Sequence, residues 1–408
     1  MVEISRSKTR VKGFENEEMD FQLLRQLGSS AYGGTSAGES LSAAARIKDG
    51  SPASWVDEFT NLAEWEQNDA QDRVLKGHTV SARDQFLKAC NSFRAAEYYT
   101  SPRDPRHQEL GLKSRSCFAE AMKFARHTFE EAMLPYKGIE IPVYLMKPAQ
   151  EPQKRKTLLI VSGFDGTLEE EYLMRGYPAL ERGYNVVHYA GPGQMDLFRF
   201  GENTHFEPDF ENVTKTVVDY IAGRPETSPN AIALMGISVG GYFAVRSAAY
   251  EPRIKALIAN SPILNLHDYL SAFIGYDPAE IPDDQNFTVE EMTTLPDEIF
   301  SPEAKARTEN LIVRYGQPTF RDTFIYLREF AVGDAVSNIK CPSLALVGAG
   351  EGGRPQKQFD EFAEKVSGPV TKHRFSDLEG ADTHCQVGNP SYAAAVALDW
   401  LDELFDRR

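Results

Sequence analysis

The run Gly236-Ile237-Ser238-Val239-Gly240-Gly241 constrains this chain more than any other stretch. Ahead of it lies Ala231-Ile232-Ala233-Leu234-Met235, a short apolar run with the character of a buried strand. Behind it, residues 242–250 are alanine-rich and helical in character. A strand must therefore turn into a helix at once, with a serine at the apex. Such a turn admits only small residues beside the serine. Gly236 and Gly240 meet that need, and Gly241 lets the helix pack close. Ser238 is then presented at the top of a sheet, at the positive end of a helix. The bland alternative is a tight turn with an idle serine, and the flanking strand and helix speak against it.

From residue 139 onward, short apolar runs alternate with helical stripes. Residues 139–145 alternate in character, and Pro142 suits an edge strand. Residues 157–161, 185–189, 231–235, 256–259, 343–347 and 370–375 read as further strands. Val213, Val217, Val218 and Ile221 mark a helix between them, and Val396, Trp400, Leu401 and Leu404 mark a closing one. Alternating βα units predict the α/β class, with a mainly parallel, doubly wound sheet. The rhythm breaks at about 270–339, the expected place of a lid insertion. Upstream, the periodicity is helical from residue 54 to about 134. Phe59, Leu62 and Ala63 share a face, as do Ala82, Phe86, Ala89, Cys90 and Phe93, with Ser81 placed to cap that helix and Asp84 three residues on. Phe118, Ala121, Met122, Ala125 and Phe129 form another stripe. The expected division is thus a helical N-terminal cap domain over 1–134 and a catalytic domain over 135–408. Residues 1–50, rich in glycine, serine and alanine, are expected to form a partly ordered arm.

Composition narrows the classes of partner. The 408 residues are 41% hydrophobic and 25% charged, as in ordinary globular proteins. A net charge of −16 argues against nucleic acid or an anionic membrane as partner. The four cysteines, Cys90, Cys117, Cys341 and Cys385, are scattered and suggest neither a zinc site nor a disulfide framework. The start Met1-Val2-Glu3-Ile4-Ser5-Arg6 lacks the apolar core of a signal peptide, and no apolar run is long enough to span a bilayer. A cytoplasmic protein with reduced thiols is expected. No metal-ligand cluster or dinucleotide fingerprint stands out, so neither metal nor cofactor is expected.

A serine hydroxyl needs a base to become a nucleophile. On a doubly wound sheet with such an elbow, the acid and then the histidine follow the serine in the chain. Of the eight histidines, only His373 and His384 lie late enough. His373 alternates within a strand, whereas His384 sits in the loop between the last strand and the last helix. The acid should follow the strand at 343–347, where Glu351 stands. Asp360 is the fallback, expected on the next helix, and Asp382 is expected to be solvated in its loop. Two backbone N–H groups should hold an oxyanion: that of Val239 and that of Phe164, in the loop Ser162-Gly163-Phe164-Asp165-Gly166, with Asp165 next in line. Asp165, His267, Asp268 and Tyr269 are candidate substrate contacts, with a solvated or capping turn as the alternative. The phenylalanines of the insertion (Phe273, Phe287, Phe320, Phe324) hint at an apolar or aromatic small molecule.

Four stretches taken together bring a family into view: Gly163-Phe164-Asp165-Gly166, Tyr189-Ala190-Gly191-Pro192-Gly193-Gln194, Gly236 to Tyr242, and Gly380-Ala381-Asp382-Thr383-His384. With the helical N-terminal part, the chain resembles α/β-hydrolases with helical caps. That group includes 2,6-dihydroxypseudooxynicotine hydrolase, the fungal heptaketide-shortening hydrolase of melanin biosynthesis and the Fus2-type hydrolases. The resemblance implies a Ser238–Glu351–His384 triad acting on a carbonyl-containing small molecule of secondary metabolism. Hydrolysis of a C–C bond in a β-diketone or acyl-polyphenol is the first expectation. Ester hydrolysis, cyclisation or acyl transfer are the alternatives, and a hydrolase-fold receptor is the non-enzymatic one. A homodimer is also implied by the resemblance. Glutamate at the acid position departs from the aspartate of the first two enzymes and leans toward the Fus2-like branch.

Overall fold

The computed structural model describes residues 8–148, 153–199 and 204–406, so the first seven residues of the expected arm lie outside the described residues. An eight-stranded sheet forms the centre, in the order β1-β2-β4-β3-β5-β6-β7-β8. The strands are β1 (Thr128–Tyr136), β2 (Ile139–Lys147), β3 (Arg155–Val161), β4 (Asn185–Tyr189), β5 (Thr227–Ile237), β6 (Ala256–Asn260), β7 (Ser343–Gly348) and β8 (Val370–Phe375). β1 pairs antiparallel with β2, and β2 antiparallel with β4. Every later pairing is parallel. The central strands are apolar along their length because helices cover both faces. Leu158, Leu159, Ile160, Val161, Leu234, Leu257 and Ile258 are all buried.

The order of strands explains where a site can form. From β3 the chain moves outward to β4 and then crosses back to place β5 on the other side of β3. The loops leaving β3 and β5 therefore diverge, and a crevice opens at the carboxyl ends between them.

The first described residues are not a loose arm. Helices Glu17–Gly28 and Ala37–Ala44 precede the long helices Pro52–Leu75, Thr79–Tyr98 and Pro105–Met122. Met19 and Leu23 are wholly buried. Small residues let this segment lie close to the rest: a Cβ on Gly28 would come within 1.8 Å of the Val387 carbonyl oxygen. Composition suggested mobility, whereas the glycines and serines serve close approach.

Other local expectations shift for physical reasons. The helix holding Phe86 and Phe93 begins at Thr79, with His78 rather than Ser81 before it. The helical stripe ends at Met122, and Phe129 belongs to β1. Its ring still packs on Phe118 (5.5 Å between centroids) and Tyr144 (5.0 Å), so its apolar character fits either secondary structure. β2 is an inner strand, with β1 outside it. Pro142 is tolerated there because pairing with β4 begins only at Val143.

Buried charge joins the helical region to the sheet region. Arg199, 1% exposed, pairs with Glu97 of the helix Thr79–Tyr98 at 2.8 Å and with Glu169 at 2.7 Å. Asp196 lies 3.4 Å from the same guanidinium. Between β6 and β7, helices Leu266–Ile274, Val289–Thr293, Pro302–Tyr315 and Phe320–Leu327 form the expected insertion. Among the described residues, no helix is long and apolar enough to cross a membrane.

Candidate active site

The turn after β5 holds Ser238 at φ 59° and ψ −126°, a conformation that a side chain adopts only when its surroundings impose it. They do. A Cβ on Gly236 would lie 2.0 Å from the Gly240 carbonyl oxygen, and one on Gly240 would lie 2.5 Å from that of Ser162. The Ser238 N–H donates to the Asn260 carbonyl at 2.6 Å, tying the turn to β6. The helix Val239–Tyr250 starts at once, so its positive end faces the serine.

His384 Nε2 lies 2.9 Å from Ser238 Oγ, and its Nδ1 lies 2.6 Å from Glu351 Oε2. Ser238, His384 and Glu351 thus form one hydrogen-bonded row across the carboxyl ends of β5, β8 and β7. Glu351 is 2% exposed, and its carboxylate is well supplied with donors. It accepts from the Gly348 N–H at 2.8 Å, the Ser261 hydroxyl at 3.1 Å and the Tyr269 hydroxyl at 3.2 Å. Burial and the neighbouring carboxylate keep the Tyr269 phenol well above its ordinary pKa, so it donates. Burial disfavours the His384 imidazolium, but Cys385 and Glu351 outweigh it and raise the histidine above its usual value. The Cys385 sulfur sits 3.3 Å from His384 Nε2, on the same nitrogen that faces the serine.

The loop after β3 presses against the elbow. A Cβ on Gly163 would meet that of Ser238 at 2.7 Å and the Val239 nitrogen at 3.0 Å. Phe164 follows, its ring stacked on Phe206 at 5.5 Å with the Arg314 guanidinium 4.1 Å from the ring centre. Phe164 and Val239 both line the cavity that opens above Ser238. Asp165 pairs with Arg25 at 3.3 Å while keeping 26% of its side chain exposed.

A cavity of about 380 Å³ opens above Ser238, lined by both the N-terminal helices and the insertion. Phe21, Arg25 and Tyr99 come from the first, and Tyr269, Phe273 and Phe324 from the second. Asp165 also lines it.

Two expected contacts lie elsewhere. His267 Nε2 bonds Asp277 at 3.0 Å, and Asp268 faces Arg354 at the surface at 3.3 Å. Neither is among the cavity-lining residues. Asp360 is on the helix Gly353–Lys365 and pairs with Lys372 at 2.7 Å, away from His384. His373 lies in β8, 3.4 Å from Glu379. Asp382 is not solvated but wholly buried, and its carboxylate accepts from the Lys8 N–H at 2.7 Å and the Thr9 hydroxyl at 2.6 Å. Cys385, Ser261 and Arg25 are site residues that sequence reasoning missed. Only Cys385, next to the expected base, carried any local signal. Among the described residues, no group of histidine, cysteine and acidic side chains is arranged to hold a metal.

Comparison with known proteins agrees with this architecture. The family model of the X-Pro dipeptidyl-peptidases (S15 family) matches residues 137–308. The chain is 30% identical to hydrolase LUC6 of a Fusarium species, over 97% of this chain and 98% of that one. It is likewise 30% identical to the 20-hydroxy-prefusarin hydrolase FUS2 of Gibberella moniliformis, covering 97% and 98%. Among solved structures it is similar to the 2,6-dihydroxy-pseudo-oxynicotine hydrolase, with a TM-score of 0.71, 24% identity and coverage of 92% and 94%. AbyA5 superposes with a TM-score of 0.63 at 15% identity, covering 96% and 94%. The parallel sheet, the serine elbow and full-length relatives that are hydrolases lead to one conclusion: the chain is an enzyme of the α/β-hydrolase family, related along its whole length to LUC6 and FUS2.

Proposed function

We propose that this α/β-hydrolase is a serine hydrolase that cleaves a C–C bond beside a carbonyl in a polyketide-like small molecule of secondary metabolism. The observation that carries the reading is the row Ser238–His384–Glu351, at 2.9 and 2.6 Å, at the floor of the cavity. Ser238 Oγ attacks the carbonyl carbon as His384 Nε2 takes its proton. Glu351 holds the imidazole tautomer and offsets the charge that develops on it. The Val239 and Phe164 N–H groups donate to the oxyanion, each worth about 3 kcal/mol of barrier. When the tetrahedral intermediate collapses, the C–C bond breaks, and the departing carbon, delocalised as an enolate or phenolate, takes the proton from His384. Water then attacks the acyl-serine, with His384 again as base, releasing a carboxylic acid. A β-diketone plus water thus gives an acid and a ketone.

The apolar and aromatic walls, Phe21, Tyr99, Phe273 and Phe324, suit such a ligand. The relative FUS2, a hydrolase of 20-hydroxy-prefusarin, supports a natural-product substrate. The test is product analysis in ¹⁸O-water with a panel of β-diketones, acyl-phenols and p-nitrophenyl esters. The reading predicts one labelled oxygen in the acid from a diketone, lost in Ser238→Ala. Turnover of the esters alone would replace C–C hydrolysis with ester hydrolysis.

A further inference from the structure

His384 sits on a loop whose own hydrogen bonds, such as Gln386 N–H to the Thr383 carbonyl at 3.0 Å, are joined by contacts from distant parts of the chain. The next two residues, Cys385 and Gln386, have φ of 56° and 55°, a left-handed conformation that is unfavourable for residues other than glycine. Such a turn persists only where its surroundings over-determine it: Arg175 donates to the Cys385 carbonyl at 3.0 Å and Asn260 to the Gln386 side chain at 2.7 Å, and a further set of contacts comes from the other end of the chain. The carboxylate of Asp382, two residues before the histidine, accepts from the Lys8 N–H at 2.7 Å, the Thr9 N–H at 3.4 Å and the Thr9 hydroxyl at 2.6 Å. Its carbonyl accepts from the Gly350 N–H at 2.9 Å, in the turn that carries Glu351. Past the histidine, Gly28 lies so close to the Val387 carbonyl that no side chain would fit between them. The same N-terminal segment reaches the loop after β3. Arg25 pairs with the Asp165 carboxylate at 3.3 Å, donates to the Asp165 carbonyl at 3.3 Å and binds Glu170.

We infer that residues 8–28 form a strap that registers the His384 loop against the Phe164 loop, with Thr9, Asp382 and Arg25 as positioning residues. The inference rests on the reading of His384 as the base. Reaction geometry is steep in distance: a displacement of about 1 Å costs up to about 100-fold in rate. The buried Asp382 carboxylate supplies the specificity, since separating it from the strap leaves a charged acceptor without its donors.

The test uses the full chain with Thr9→Val, Thr9→Ser and Asp382→Asn. Hydrogen exchange of residues 380–389 reads the strap whether or not Ser238 reacts. Exchange should quicken in Thr9→Val and Asp382→Asn and return to the wild-type rate in Thr9→Ser. With a p-nitrophenyl ester, kcat should fall about 10- to 100-fold at unchanged KM in the first two, and Thr9→Ser should restore it. The double variant should be no slower than the slower single, because both remove one interaction. Unchanged exchange in Thr9→Val and Asp382→Asn would overturn the strap. Quickened exchange in a protein whose wild type never acylates at Ser238 would instead sink the nucleophile reading and leave the strap standing.

Discussion

At the scale of the residue, the proposed reaction depends on the protonation of His384. The imidazole must be neutral to accept the serine proton. Cys385 and Glu351 raise its pKa above the ordinary 6.5, so activity should be low in acid and rise with pH through a value above 6.5. Removing either neighbour should bring that limb down. Cys385→Ser should shift it to lower pH with the triad intact. Glu351→Gln should shift it in the same direction and also lower kcat by about 10⁴, as loss of the orienting carboxylate does in a comparable triad. A pH profile of kcat/KM for the variants checks both, and a limb that stays in place would refute the electrostatic assignment. That Ser238, Glu351 and His384 would come together could be anticipated from the sequence because each follows a strand of recognisable character. His267 and Asp268 were misjudged because they open a helix. On Leu266–Ile274 successive side chains diverge by a third of a turn, so only the face bearing Tyr269, Leu270 and Phe273 lines the cavity.

At the scale of the element, the strand–turn–helix around Ser238 works by exclusion of side chains. Gly240→Ala would drive a methyl group to 2.5 Å from the carbonyl oxygens of Val161 and Ser162. We expect a loss of about 1–3 kcal/mol of stability and a displaced serine, read together by urea unfolding and by the rate of serine acylation. A variant with wild-type stability and acylation would show that the turn has slack. The sequence announced this element because glycine, serine and glycine stood between a strand and a helix. It hid β1, because Phe129 falls in step with the helical stripe before it and no local feature marks the break at Met122. It also misrepresented the first helices, since glycine and serine that permit close contact look the same as glycine and serine that confer freedom. Only the partner surface, Val387 for Gly28, distinguishes them.

At the scale of the whole molecule, the cavity belongs to neither part alone, because its walls come from the N-terminal helices and from the insertion between β6 and β7. The two parts are fastened by buried charge. Arg199→Met would strand Glu97, Glu169 and Asp196 without their cation, all of them buried. Breaking such a group from one side costs about 3–5 kcal/mol, so the urea midpoint should fall sharply, and an unchanged midpoint would remove this fastening from the account. The α/β class and the helical N-terminal region were readable from periodicity. The fastening was not, because its partners lie far apart in the chain. All of the proposed chemistry requires an activated Ser238. Intact-protein mass after brief exposure to a fluorophosphonate, wild type beside Ser238→Ala, tests it most directly. One phosphonyl adduct is expected on the wild type and none on the variant. An adduct on both, or on neither, would contradict it.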